Sequence, residues 1–301
     1  MSSRKSDWIG RPINPVSIIL KQNALLEREF AADGIKIVWV QSAGSNKALE
    51  FLNFLNAGSI DFGSTAGSAA LVAKINGNPI KSVYVFSRPE WTALVTSKDS
   101  SIAAVADLRG KRVAVTRGTD PHIFLVRALL DAGLTEKDIT PVLLQHADGK
   151  TALIRGDVDA WAGLDPMMAQ AELEDGARPF FRKPDANTWG ILNVREPFLK
   201  VYPDAARRVL KVYDEARQYA LSNYPELKQA FIGVTKLPDA VVDKQLKERT
   251  DLTHSRIGAP QRESILAAGL ALQEAGVIDA KVDVRAAVDT LIDDHIPLPE
   301  G

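Results

Sequence analysis

Val38 to Gly67 reads VWVQSAGSNKALEFLNFLNAGSIDFGSTAG, and the punctuation inside it decides the fold. Ile35 to Val40 is dense in β-branched and aromatic residues and reads as a strand that empties into the turn Ser42-Ala43-Gly44-Ser45-Asn46. From Ser45, or from Asn46 as the cap, Ala48, Leu49, Leu52 and Leu55 recur at helical spacing until Gly58 stops the run. Ile60 to Gly63 makes a short buried strand, and Thr65 to Gly67 opens a second helix carrying Ala69, Val72 and Ala73 inward. This alternation is the order of an α/β fold, with both helix starts at one edge of the sheet. The first N–H groups of a helix have no intrahelical acceptor, so two such starts around one crevice favour an anion between them.

Outward from that stretch the same signals recur. Asp7 to Gly10 is at best a short strand; Asn14-Pro15 reads as N-cap and first helical residue, with Val16, Ile19 and Leu20 on one face, and Leu25 to Phe30 as a second helix ended by Gly34. Val83 to Phe86 and Thr92 to Thr96 read as strands around Ser87-Arg88-Pro89-Glu90-Trp91. After Ser97 the grammar restarts: Arg112 to Thr116 as a strand, Arg117 to Asp120 as a loop, Pro121 at a helix start, Ile123, Val126 and Leu130 as its apolar stripe, and Val142 to Leu144 as a strand.

Ile35 to Phe62 and Ile139 to Trp161 match one another as strand, Gln41 or Gln145, turn, Ala-Leu helix, and then GSIDF or GDVDA. Two lobes built from one βαβ unit explain the match. Past Leu192 the chain reads as amphipathic helices over 205–222, 225–232, 239–248 and 261–275, which need a sheet to pack on. The expected architecture is therefore α/β with two lobes, each a mixed, mostly parallel sheet flanked by helices. Residues 1–96 plus 191–301 form lobe 1 and 97–190 form lobe 2, with a hinge where the chain crosses near Val95 to Lys98 and near Gly190 to Asn193.

Composition narrows the partners. In 301 residues, 37 Lys+Arg against 38 Asp+Glu give a formal charge of -1, which argues against nucleic acid or an acidic membrane as partner. Zero cysteines exclude thiolate chemistry and disulfides, and the four histidines lack metal-ligand spacing. No run approaches the roughly 18 apolar residues of a membrane span. The opening MSSRKSDWIG lacks a signal-peptide core, which leaves a mature secreted chain and a cytoplasmic one both open.

GSIDFGSTAG, ADLRGKRVAVTRGTDPHIFLVRALLDAGL and GDVDAWAGLDP, in that order, resemble the type II solute-binding proteins of ABC importers, in the branch for aliphatic sulfonates, taurine and nitrate-like anions. The resemblance implies a periplasmic, monomeric carrier without cofactor, catalytic residues or metal, which captures a small organic anion, a sulfonate above all, and hands it to the membrane permease subunits of an ABC importer. It maps one anion turn onto Ser42, Gly44, Ser45 and Asn46 and a second onto Thr65, Ala66, Gly67 and Ser68, where many relatives carry Thr-Gly-Asp-Ala. From the other lobe it implies Gly118, Thr119, Asp120 and His122, with Asp165 of the Asp-Pro step and Trp189 near the crossover. Taurine, a sulfate ester or nitrate as ligand, or an enzyme of this fold acting on a small organic acid through His122 with Asp120 or Asp165, stay open as alternatives; a regulator's effector half would need a DNA-binding module ahead of Trp8.

A sulfonate carries no proton at physiological pH and so needs donors alone. The hydroxyls of Ser42, Ser45, Thr65, Ser68 and Thr119, with N–H groups freed by Gly44, Gly67 and Gly118, are the expected donors; the competing reading is that each hydroxyl caps its own helix. An acid at Glu90, Asp120 or Asp165 would repel a bare sulfonate unless it meets an amine on the ligand or is neutralised by Arg88 or Arg117. Arg88 has two expected roles, bonding the anion or pairing with Glu90, and His122 is placed to donate. Trp91 and Trp189 are the candidates for an apolar wall, whereas Trp39 and Trp161 read as core and His146, His254 and His295 as surface.

Overall fold

A computed structural model describes residues 14–40 and 53–296. Helix α1 (Pro15–Gln22) starts where Asn14-Pro15 places it: Asn14 Oδ1 accepts from the N–H of Val16 at 2.9 Å and of Ser17 at 3.3 Å. Helix α2 (Leu25–Phe30) follows. Ile35 to Val40, expected as a strand, belongs to no ladder among the described residues, and Val38 is 71% exposed. β-branched composition favours a pleat only where a neighbouring strand accepts it. The turn from Ser42 to Asn46 and most of the helix after it lie outside the described residues; residues 53–56 are helical and Gly58, at φ 71°, stops them.

The elements then run β1 (Phe62–Ala66), α3 (Gly67–Ile75), β2 (Ile80–Pro89), β3 (Leu94–Thr96), β4 (Arg112–Val115), α4 (Asp120–Asp131), β5 (Thr140–Leu143), α5 (His146–Arg155), β6 (Ala160–Ala162), α6 (Met167–Asp175), β7 (Arg178–Phe181) and β8 (Gly190–Arg195). The last third is helical, as its periodicity predicts: α7 (Glu196–Val201), α8 (Pro203–Ser222), α9 (Tyr224–Thr235), α10 (Asp239–Asp243), α11 (Ala259–Glu274) and α12 (Val284–Leu291). It also holds a short strand that the sequence reading missed, β9 (Thr250–Asp251).

Two sheets result, one ordered β1-β8-β2-β9 and the other β5-β4-β6-β3-β7. Every ladder of the first is antiparallel; in the second, β4 runs parallel to β5 and β6, while β3 runs antiparallel to β6 and β7. The expectation of mostly parallel sheets therefore fails for the first sheet among the described residues. The reason is topological: the strand arriving from the other sheet, β3 going out and β8 coming back, inserts between two strands and runs against both. The outward change of sheet falls between Pro89 and Leu94, earlier than the expected Val95 to Lys98, because β3 is already part of the mixed sheet.

The repeated Gly-x-(Ile/Val)-Asp does the same local work twice. Asp61 bonds Arg195 at 2.7 Å beside β1, and Asp159 takes the backbone N–H of Arg112 at 2.8 Å beside β6, so each aspartate pins a strand start to a neighbouring arginine. Strand alternation splits the first core in two. Tyr84 and Phe86 of β2 pack with α1, α8 and α9 through Leu20, Leu210 and Phe231, while Val85 packs on the other face with Leu71, Ile265 and Leu291. The mixed sheet is sandwiched likewise, between Phe124 and Leu125 of α4 on one face and Leu153 and Met168 around the fully buried Trp161 on the other. Helix α11 touches both α3 and α4, so the helical tail spans the two sheets.

Candidate functional site

A cleft of about 1430 Å³ opens between the sheets. Asn14, Ser17, Ser64, Thr65 and Ala66 line it from the antiparallel side, Thr119, Asp120, His146 and Leu164 from the mixed side, and Trp91 from the crossing segment. Thr65, Ala66, Trp91, Thr119 and Asp120 are the expected site residues found on this wall. Ser42, Gly44, Ser45 and Asn46 lie outside the described residues.

Following each proton shows which donors remain for a ligand. Thr119 Oγ1 donates to Thr116 O at 2.6 Å, so this hydroxyl is spent inside its own turn. Gly118 N donates to His122 Nδ1 at 3.1 Å, and His122, fully buried, turns its Nε2 to Glu136 at 2.9 Å. His122 thus braces the loop and donates nothing to the cleft, contrary to expectation. Gly118 is required for its φ of 74°. Gly67 N donates to Trp189 O at 3.0 Å, and a Cβ there would lie 2.7 Å from Ile265, so this glycine serves packing and frees no N–H.

Ser68, second residue of α3, bonds the carboxylate of Asp120, first residue of α4, and so ties the two helix starts together across the sheets. Thr65 behaves differently: its Oγ1 accepts from Asn193 Nδ2 at 2.8 Å. Trp91, 6% exposed, has an indole N–H with no partner. That nitrogen is itself buried, so what Trp91 presents to the cleft is apolar surface.

Two of the three expected acids are neutralised, by cations other than those expected. Glu90 receives Arg182 through two bonds, at 2.8 and 2.6 Å, while Arg88 pairs with Asp185 and lies over the ring of Trp189. Trp189 stacks edge-on to His254 at 4.9 Å and is core rather than cleft wall; the half-buried Trp39, expected in the core, packs against it and also lines the cleft. Asp165 is buried against Arg249 at 3.0 Å, and Arg249 also bonds Glu172. Burial pushes the Asp165 carboxyl up to about 6, with Arg249 pulling the other way. Glu90 N donates to Arg249 O at 2.7 Å and Asp165 N to Trp91 O at 2.8 Å, so this pair clamps the crossing segment.

Sequence reasoning missed Asn14, Ser17, Ser64, His146, Tyr213 and Asn193. Asn14 Nδ2 reaches Ser17 Oγ at 2.8 Å and Ser64 Oγ at 3.3 Å, and Tyr213, its hydroxyl pushed up by burial, bonds the same two serines. His146 Nδ1 meets Thr116 Oγ1 at 3.2 Å. The Ser64-Thr65 pair beside a helix start was the one signal available. Among the described residues no group of His, Asp and Glu could hold a metal ion, and no helix is long and apolar enough to cross a membrane.

The family model described as NMT1/THI5 like matches residues 30–226. The chain belongs to the NMT1/THI5-like family. Within reach of it is the crystal structure of the periplasmic aliphatic sulphonate binding protein SsuA from Escherichia coli, which superposes with a TM-score of 0.83 at 29% identity over 96% of this chain and 91% of that one. The alkanesulfonate-binding protein SsuA from Xanthomonas axonopodis pv. citri, solved with MOPS bound, gives 0.77 at 27% identity over 91% and 93%. A protein of Escherichia coli (strain K12), named as a candidate aliphatic sulfonates-binding protein, is 36% identical over 191 residues, a match spanning 63% of this chain and 58% of that protein's length.

Proposed function

We propose that this chain is the substrate-binding component of an ABC importer, capturing a small organic sulfonate between its two sheets and delivering it to membrane permease subunits. The observation that carries the reading is the cleft wall, where the Thr65 hydroxyl, its acceptor side taken by Asn193, stands beside the starts of α3 and α4 and Trp91 adds apolar surface. A permanent anion with three acceptor oxygens suits such a wall. The names of the similar sulfonate-binding proteins support it, and with them a periplasmic, non-enzymatic carrier; that it acts as a monomer is part of the same proposal. With β3 in the mixed sheet and β8 in the antiparallel one, residues up to 89 together with those from 190 onward form one lobe of this reading and residues 94–189 the other, and the Glu90–Trp91 segment is the pivot about which they close.

A donor-bearing sulfonate such as taurine is the second reading, favoured by Asp120. With Glu90 and Asp165 held by arginines, Asp120 is the expected acid that stands on the cleft wall, where it would meet an amine on the ligand.

A thermal-shift screen over alkanesulfonates, taurine, sulfate esters, nitrate, phosphonates and carboxylates tests both. Ligand at 100 times its Kd adds about 2.7 kcal/mol of stability. Sulfonates are expected to raise the melting temperature most; a carboxylate or phosphonate doing so in their place would sink the proposal.

A further inference from the structure

We propose that Asn193 is a positioning residue for ligand capture: its amide holds the Thr65 hydroxyl so that the proton of that hydroxyl goes to an anionic oxygen of the ligand. The inference rests on the sulfonate reading and adds to it a residue and a direction of hydrogen bonding.

Asn193 sits mid-way along β8, paired with Gly63 of β1 on one side and Ser82 of β2 on the other, and is 0% exposed. Leu192 and Val194 point to the opposite face, and the same-face neighbour Ile191 shows the apolar residue that this strand places on Asn193's side. A wholly buried amide is costly unless every group on it is used. Here Ser82 Oγ donates to Oδ1 at 2.7 Å, and Nδ2 donates to Gly63 O at 3.3 Å and to Thr65 Oγ1 at 2.8 Å. The Gly63 carbonyl only accepts, so it fixes which end of the amide faces β1. Thr65 Oγ1 is thereby an acceptor toward Asn193, and its own proton must leave in another direction.

That proton finds no acceptor among the described residues, and Thr65 lines the cleft. A wholly ionised oxyanion supplies the missing acceptor. The relay from Ser82 through Asn193 to Thr65 thus gives the cleft one hydroxyl of fixed donor direction, which the oxygens of a sulfonate, all of them acceptors, meet in any rotation of the group.

Calorimetric titration with butane-1-sulfonate of the wild type, Thr65→Val, Thr65→Ser, Asn193→Leu and the Thr65→Val/Asn193→Leu double variant tests this, with thermal melting to certify each fold. Thr65→Val is expected to weaken binding about ten- to a hundredfold, the range for a hydrogen bond to a charged group, and Thr65→Ser to stay close to wild type. Asn193→Leu should weaken binding several-fold in the wild type and not at all when Thr65 is already valine. Undiminished affinity in a folded Asn193→Leu, or the same loss in both backgrounds, overturns the role of Asn193. If Asn193→Leu does not fold, equal affinities of Thr65→Val and Thr65→Ser overturn it instead. A wild type that binds no sulfonate overturns the functional reading itself, and this inference with it.

Discussion

The turn at Thr65–Ser68 and the turn at Gly118–His122 look alike in sequence, each a glycine with a hydroxyl residue at the door of a helix, yet they use their protons in opposite ways. In the second, Thr119 donates to Thr116 O, Gly118 to His122, and the loop is closed on itself. In the first, a buried asparagine from another strand occupies the acceptor side of Thr65 and leaves the proton to be given away. A hydroxyl at a helix start is thus a ligand donor only if something else satisfies its lone pair; the residue type alone does not say which.

The largest effect concerns the crossing segment that joins the sheets carrying the two turns. Removing Arg249 by Arg249→Ala strands the buried Asp165 and should cost about 3–5 kcal/mol in denaturant unfolding. A loss under 1 kcal/mol would mean the crossing segment is held by something else. The pH dependence gives a second view of the same clamp. With its folded pKa raised to about 6 from about 3.9 unfolded, Asp165 contributes stability that is full below about pH 4 and is lost as pH rises to about 6. The melting temperature of the wild type relative to Asp165→Asn should therefore fall across that window and be level above pH 7. Parallel curves would contradict the raised value.

Next in size, Thr119→Val should leave sulfonate affinity within about threefold of wild type, against the ten- to hundredfold loss expected of Thr65→Val. Equal losses would erase the contrast between the turns. Glycine replacements sharpen it on the stability side. Gly67→Ala drives a methyl into Ile265 and should cost about 1–3 kcal/mol, recovered in part by Ile265→Val. Gly118→Ala meets no neighbour but is strained at its φ of 74°, costing about 1 kcal/mol that no repacking recovers. Smallest is Asp120→Asn, which keeps an acceptor for Ser68 and removes the charge; affinity for butane-1-sulfonate should rise a few-fold and that for taurine should not. A rise for both would argue against an amine-reading role.

Much of the local structure was legible because it depends on neighbours in the chain. Asn14 and Pro15 start α1, Pro121 sits in the first turn of α4, and Gly58 ends a helix, all from spacing and capping chemistry. The strand expected at Ile35 to Val40 was misread because composition cannot supply a partner to pair with. The site was legible only as a list of hydroxyls. What separates Thr65 from Thr119 comes from Asn193, 128 positions away in the chain, and what neutralises Glu90 and Asp165 comes from Arg182 and Arg249, 92 and 84 positions away. Such partners carry no periodicity or motif, so only the folded chain reveals them.

Small-angle scattering on the wild-type protein with and without saturating butane-1-sulfonate tests ligand capture between the sheets most directly. Closure of the cleft predicts a smaller radius of gyration in the saturated sample. Saturable binding, verified by calorimetry on the same sample, with an unchanged radius would contradict it.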